Sequence, residues 1–273
     1  MTGQPATRTK TYADGQLPVS ISEGIGVITF NNPTKLNAIS AEMAEGLAAA
    51  LNDMRDDPEV KVVILTGAGD KAFISGGDIS QFEKTRPNAE VASRSAERFR
   101  QRQAALADFP KPTIAAIRGY CLGGGLGTAL NADIRFASTD AKFGIPAARL
   151  GIAYGFEGLN RLVALVGPSR ARLILYTGAR FNAEEALAFG LIDRLLPPDR
   201  LWSETLEIAR QIARNAPLAI AAAKITISQI LKDAQDRDMG AVREIGRICM
   251  DSADFKEGRT AFMEKRPPQF QGR

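Results

Sequence analysis

Gly119-Tyr120-Cys121-Leu122-Gly123-Gly124-Gly125-Leu126-Gly127 is the stretch on which the reading of this chain turns. A short apolar run leads into three consecutive glycines, and a run with helical spacing, Leu126 to Leu130, comes next. Glycine lets a ligand or a second backbone approach the main chain closely. The free N–H groups and the dipole at a helix start favour negative charge there. A tight turn or close helix–sheet packing makes the same demand for glycine. A second glycine pair ends Phe73-Ile74-Ser75-Gly76-Gly77-Asp78, again behind a short apolar run. By itself the glycine run is a weak signal for an anion site, and spacing alone does not bring the two segments together. Asp78 offers either an acid or a cap for the segment after it.

Working outward, Val19 to Ser22 and Ile25 to Asn31 read as paired strands around the turn signal Glu23-Gly24. Ser40 is placed to cap a helix whose apolar face runs Met43, Leu47, Leu51, Met54. Val62 to Leu65, Thr113 to Ile117, Ile134 to Ala137 and Leu191 to Leu196 are short apolar strands. A long polar helix is expected over Ala89 to Ala107, and helices over Arg170 to Tyr176 and Ala183 to Phe189. Beyond Pro197-Pro198 the chain reads as helical throughout, with a stripe Ile220, Lys224, Ile227, Leu231 interrupted only by its lysine. The rhythm predicts an α/β sheet core over 17–197 and a helical C-terminal part over 198–273. Residues 1–16 are polar and read as a loose, flexible arm.

The chain has 273 residues, 45% of them apolar, enough for one large domain or a domain with an appendage. It contains no histidine. That removes Ser-His-Asp and Cys-His catalysis and the usual catalytic zinc sites. Proton transfer falls to carboxylates, Tyr, Lys, Cys or water. The two cysteines, Cys121 and Cys249, are too few for a disulfide scaffold and read as packed thiols. The net charge of +4 is modest, and its basic residues (Arg94, Arg98, Arg100 and Arg102 among them) form no aromatic-interleaved stripe. Nucleic acid is therefore not the expected partner, while an anionic small molecule suits the charge. The chain shows no signal-peptide core and no apolar run long enough to span a bilayer. It is expected to be soluble and cytoplasmic.

Five landmarks in order resemble the crotonase family, the enoyl-CoA hydratase/isomerase superfamily. They are Asn32-Pro33-Thr34-Lys35-Leu36-Asn37-Ala38, Ala72 through Ile79, Gly119 through Gly125, Ala141-Lys142-Phe143-Gly144 and Ala261-Phe262-Met263-Glu264-Lys265-Arg266, within a resemblance from Leu17 to Gly272. The resemblance implies a spiral of ββα units with a helical C-terminal region that makes trimers, often paired into hexamers. It implies a CoA thioester as substrate, with no cofactor beyond it and no metal. By position, the oxyanion-hole donors are the N–H groups of Gly77 and Gly124, which stabilise the thioester oxygen as an enolate forms. Lys35 and Leu36 fall where CoA is contacted, Lys35 at its phosphates. Ser75, Asp78 and Ile79 fall in the adenine and pantetheine wall. Phe262 and Lys265 fall where a neighbouring subunit closes over the nucleotide.

The chain departs from that pattern where water is activated. Family hydratases carry two glutamates, and here those positions hold Gly127 and Ala147. Neither transfers protons. Gly155 stands where other branches place an aspartate. Tyr154 matches a tyrosine of the methylmalonyl-CoA decarboxylase branch, which the segment from Asp251-Ser252 to Phe270 also resembles. Tyr154 and Glu157 are the remaining candidates for proton transfer. Otherwise Tyr154 packs the pocket wall and Glu157 pairs with Arg161 at i+4. A carboxyl in an apolar pocket would have a raised pKa and act as an acid. Three functions stay open: family enolate chemistry on an acyl-CoA, decarboxylation of the methylmalonyl-CoA type, and non-catalytic acyl-CoA binding.

Overall fold

The computed structural model describes residues 7–78 and 104–273. Ile79 and most of the helix expected over 89–107 lie outside the described residues. A seven-stranded sheet has the order β1-β2-β3-β4-β6-β8-β11, and a four-stranded sheet has the order β10-β9-β7-β5. The first comprises β1 (Arg8–Tyr12), β2 (Leu17–Ser22), β3 (Ile25–Phe30), β4 (Val62–Gly67), β6 (Thr113–Ile117), β8 (Ile134–Ser138) and β11 (Arg194–Leu196). The second comprises β5 (Ala72–Ile74), β7 (Tyr120–Leu122), β9 (Lys142–Gly144) and β10 (Phe181–Asn182). β4–β5, β6–β7 and β8–β9 each give one strand to either sheet, which is the repeating turn of the spiral. From β3 onward the large sheet is parallel.

Both faces of the large sheet are covered, which explains why its central strands are apolar at nearly every position. Val63, Leu65, Ala115 and Ile117 face the main core, with Phe30, Phe73 and Phe143. Val62, Ile64, Ile114 and Ala116 face a second core closed by Leu201 and Ala209. On the main-core side lies α1 (Ala41–Arg55), whose buried stripe contains Met43, Leu47, Leu51 and Met54. Ser40 caps it, accepting from the Met43 N–H at 3.1 Å. The strand and cap expectations around these segments hold.

Two expectations change. The expected loose arm contains β1, paired antiparallel with β2 from Arg8↔Ile21 to Tyr12↔Leu17. Its polar side chains find partners on α1: Lys10 and Tyr12 both bond Asp53. A strand held by exposed polar pairs leaves no apolar signature. The helix expected from Arg170 begins much earlier. α3, counted after α2 (Gly124–Leu130), runs Phe156–Thr177 and bends at Gly167-Pro168. α4 (Ala183–Ala188) comes next, with a capping box between Asn182 and Glu185.

After Pro197-Pro198 come α5 (Leu201–Arg214), α6 (Pro217–Ile230), α7 (Met239–Asp251) and α8 (Ala253–Glu264). α5 belongs to the sheet's second core. α6 is anchored by the lysine that interrupts its stripe. Lys224 donates to Lys111 O at 2.8 Å and to Asp133 Oδ2 at 2.7 Å, and burial lowers its pKa. Beyond the lysine the stripe is uncovered: Ile227 and Leu231 are exposed, as is neighbouring Ile230. The chain's end folds back on α8. Asp254 accepts from the N–H groups of Gln271 and Gly272 at 2.7 and 2.8 Å. Glu257 takes both nitrogens of the Arg266 fork at 2.6 and 2.9 Å, and that pair with the Gln269 N–H holds its pKa down at about 2. Among the described residues no helix is long and apolar enough to cross a membrane.

Candidate active site

The two glycine segments meet. Ile39 donates to Gly76 O at 2.9 Å, and the Asp78 N–H donates to Ile39 O at 2.9 Å. In this parallel bridge the residue between those two groups turns its own N–H to the opposite side, so the Gly77 N–H points away from Ile39. α2 begins close by. The space a Cβ would take on Gly124 is 3.5 Å from the Gly77 nitrogen. Gly124 is the first residue of α2, so its N–H has no intrahelical acceptor. Among the described residues neither N–H has a backbone acceptor, and the backbone of Gly77 lies close to the start of α2.

The local sequence enforces this geometry. Gly123, which precedes α2, has φ 50 and ψ −115, a conformation closed to residues with a Cβ. Gly76 has φ 134. A Cβ on Gly125 would lie 2.1 Å from Ile74 O, so only glycine lets α2 press onto β5. The three glycines of the run divide the work. Gly123 turns the chain, Gly124 presents an N–H, and Gly125 packs.

Beside these donors, Lys35 and Asp78 form an ion pair at 2.7 Å with the Asp78 side chain buried. Asp78 therefore binds across the cleft to the Pro33–Lys35 turn. The Ser75 N–H donates to Leu36 O at 3.1 Å, and Ser75 Oγ to Lys35 O at 3.3 Å. Lys35, Leu36, Ser75 and Asp78 are thereby one cluster. Asn37, a landmark residue to which the sequence alone assigns no role, holds it together. It is buried, donates to Ala68 O and Ala72 O at 3.0 and 2.7 Å, and accepts from the Asn32 N–H at 3.0 Å. Leu36 and Asn37 both have positive φ, 51 and 56. Asparagine's tolerance of that region was the available signal.

The remaining candidates separate. Tyr154 is half-buried against the main core, and its hydroxyl reaches the backbone of α2. The space of a Cβ on Gly127 lies 3.0 Å from the Tyr154 hydroxyl. Burial, with a smaller contribution from Cys121, pushes the phenol up to about 12, so it is a neutral O–H donor near pH 7. Cys121 is itself buried, its thiol pushed up by burial. Glu157 lies in the first turn of α3 and is exposed, not enclosed in an apolar pocket. Phe262 is 82% exposed on α8. Lys265 ends that helix in the left-handed region, at φ 55. Among the described residues no cluster of His, Cys, Asp or Glu has the makings of a metal site.

The Enoyl-CoA hydratase/isomerase family model matches residues 20–273. The chain belongs to the enoyl-CoA hydratase/isomerase family. It is 36% identical over 250 residues to the crotonyl-CoA hydratase of Syntrophomonas wolfei, covering 91% of this chain and 95% of that one. It is also 36% identical to a carnitinyl-CoA dehydratase of Salmonella arizonae, covering 90% and 94%. Among solved structures, an enoyl-CoA hydratase/carnithine racemase from Magnetospirillum magneticum superposes with a TM-score of 0.92 at 33% identity, covering 97% of each chain. The expected crotonase-type α/β fold is thereby established, and an acyl-CoA substrate fits this family.

Proposed function

We propose that this enzyme takes an acyl-CoA thioester through an enolate whose oxygen is held by the N–H groups of Gly77 and Gly124. The observation that carries the reading is the 3.5 Å approach of the Gly124 Cβ position to the Gly77 nitrogen, beside a helix start. Donors fixed there stabilise charge that develops on the thioester oxygen without reorganising. Lys35, Leu36, Ser75, Asp78 and Ile79 bind the CoA portion. Phe262 and Lys265 of a neighbouring copy close over its nucleotide, in a trimer or a dimer of trimers formed through 198–273. The uncovered apolar face of α6 and the exposed Phe262 support that assembly.

One observation favours a second, narrower reading: a lyase that decarboxylates a substrate of the methylmalonyl-CoA type. Hydration needs a base to take a proton from water, and Gly127 and Ala147 supply none. A neutral phenol donates protons but does not remove one from water, and Glu157 is exposed at the start of α3. In decarboxylation the bond between Cα and the substrate's carboxylate breaks. Its electron pair enters the thioester to form the enolate, and CO₂ leaves. The Tyr154 O–H then donates its proton to Cα, the enolate collapses to the saturated thioester, and the tyrosinate recovers a proton from solvent.

The oxyanion assignment is tested by Gly124→Pro, which deletes one N–H. Turnover of the best substrate in a broad acyl-CoA panel is expected to fall by about 10²–10³-fold, with CoA-ester affinity retained by calorimetry. Unchanged turnover in folded Gly124→Pro overturns the assignment. Affinity for CoA esters with no turnover anywhere in the panel would make the chain a binder without chemistry.

A further inference from the structure

Two glycines of two different helices touch the same side chain. Gly158 is in the first turn of α3, and a Cβ there would lie 2.6, 3.3 and 3.5 Å from Cε1, Cδ1 and Cζ of Tyr154. Gly127 is in α2, and among the described residues outside its own helix the atom its Cβ would meet is the Tyr154 hydroxyl, at 3.0 Å. Among the described residues, the nearest atoms that both missing Cβ atoms would meet outside their own helices belong to Tyr154. Glycine inside a helix costs about 0.8–1.0 kcal/mol relative to alanine, so both helices carry residues that helix formation disfavours. The two contacts lie at opposite ends of the phenol. Gly158 fixes where the ring lies, and Gly127 leaves room for the oxygen. Gly127 is three residues after Gly124, so it sits about 4.5 Å further along the axis of α2, within a turn of the proposed oxyanion donor. The shape made by these two glycines is what directs the hydroxyl.

We propose that Gly127 and Gly158 are positioning residues that jointly place the Tyr154 hydroxyl beside the thioester, and that a side chain at position 127 and this hydroxyl are alternative occupants of one space. The proposal rests on the reading of Tyr154 as the proton donor. Its consequence for specificity is direct. A Cβ at 127 would stand 3.0 Å from the phenol oxygen, tighter than ordinary contact, so a carboxylate there would displace the hydroxyl, and a substrate that needs a base at that point and one that needs a neutral acid call for different occupants. Restoring a carboxylate at 127 requires removing the Tyr154 hydroxyl as well.

The test is a double-mutant cycle on the best substrate of the acyl-CoA panel, joined to a measurement that needs no turnover. Gly158→Ala is expected to lower kcat by about 10-fold or more with KM nearly unchanged, and to add little once Tyr154→Phe is present, since coupled residues are non-additive. An equal loss in both backgrounds means that Gly158 acts otherwise, and overturns the proposal. In protein labelled with ¹³Cζ-tyrosine, the Tyr154 resonance, assigned by its loss in Tyr154→Phe, is expected to shift in Gly158→Ala and in Gly127→Ala. An unmoved resonance overturns the positioning role. If Gly158→Ala fails to fold, Gly127→Ala, where the contact is looser, carries both readouts. Absence of all turnover would defeat the enolate reading while leaving the resonance experiment to decide the positioning claim.

Discussion

Burial holds the Tyr154 phenol at about 12, against an ordinary value of 10.0, and that difference has two measurable consequences. As a proton donor, Tyr154 stays in its active form through the neutral and mildly alkaline range. The kcat profile is expected to stay flat from about pH 7 to 10; a fall in that interval traced to Tyr154 would contradict the assignment. For stability the sign comes from the raised folded value. The folded state holds this proton more tightly than the unfolded chain, so the contribution is intact below the unfolded pKa and is lost as pH rises through the folded one. Wild-type melting temperature should therefore drop more than that of Tyr154→Phe between pH 10 and 12. In the same variant kcat should fall by about 10²–10⁴-fold with KM little changed. Tyr154 and the missing groups at 127 and 147 are legible in the sequence. That the tyrosine's oxygen lies over Gly127 is not, because the contact depends on how α3 crosses α2. The exposure of Glu157 escapes the sequence for a related reason. Its helical position is legible, but the outward direction of that first turn, which also leaves Phe156 77% exposed, is not.

Helix α2 and the strand beside it form the element on which the site is built. Gly125→Ala would drive a methyl to 2.1 Å from Ile74 O, a backbone atom that cannot rotate aside. Overpacking of this kind costs about 1–3 kcal/mol or more, and denaturant unfolding should show at least that loss; an unchanged midpoint would mean that α2 does not press on β5 in this way. Asn37 secures the facing turn with three hydrogen bonds, each contributing about 0.5–1.5 kcal/mol net. At this scale most of the architecture is legible. β4, β6 and β8 announce themselves because burial on both faces leaves them few polar positions, and α1 because its stripe and Ser40 cap agree. β1 is not legible, since pairing with β2 and exposed ion pairs to Asp53 and Asp57 hold it without an apolar face. Lys224 looks like an interruption of a stripe and is the anchor of its helix.

For the whole molecule, the pattern of exposure carries the argument. Ile227, Ile230, Leu231, Met250, Phe262 and Met263 are all exposed large apolar side chains of the C-terminal helices and their ends. Where exposed apolar side chains are contiguous they mark interaction surfaces. Sedimentation is expected to give a trimer or hexamer of the 29.3 kDa chain, and Ile230→Asp to shift it toward monomer; a wild-type monomer at micromolar concentration would contradict the assembly. If Phe262 closes over a neighbour's nucleotide, Phe262→Ala should raise KM for CoA esters with little change in kcat. The reaction proposed for these features is one in which an enolate is held by two backbone donors and protonated by a phenol. The most direct check is to assay one preparation side by side on crotonyl-CoA and methylmalonyl-CoA, monitoring water addition in the first and CO₂ release in the second. Decarboxylation with no hydration above the uncatalysed rate is the predicted result, and robust hydration of crotonyl-CoA would contradict the account.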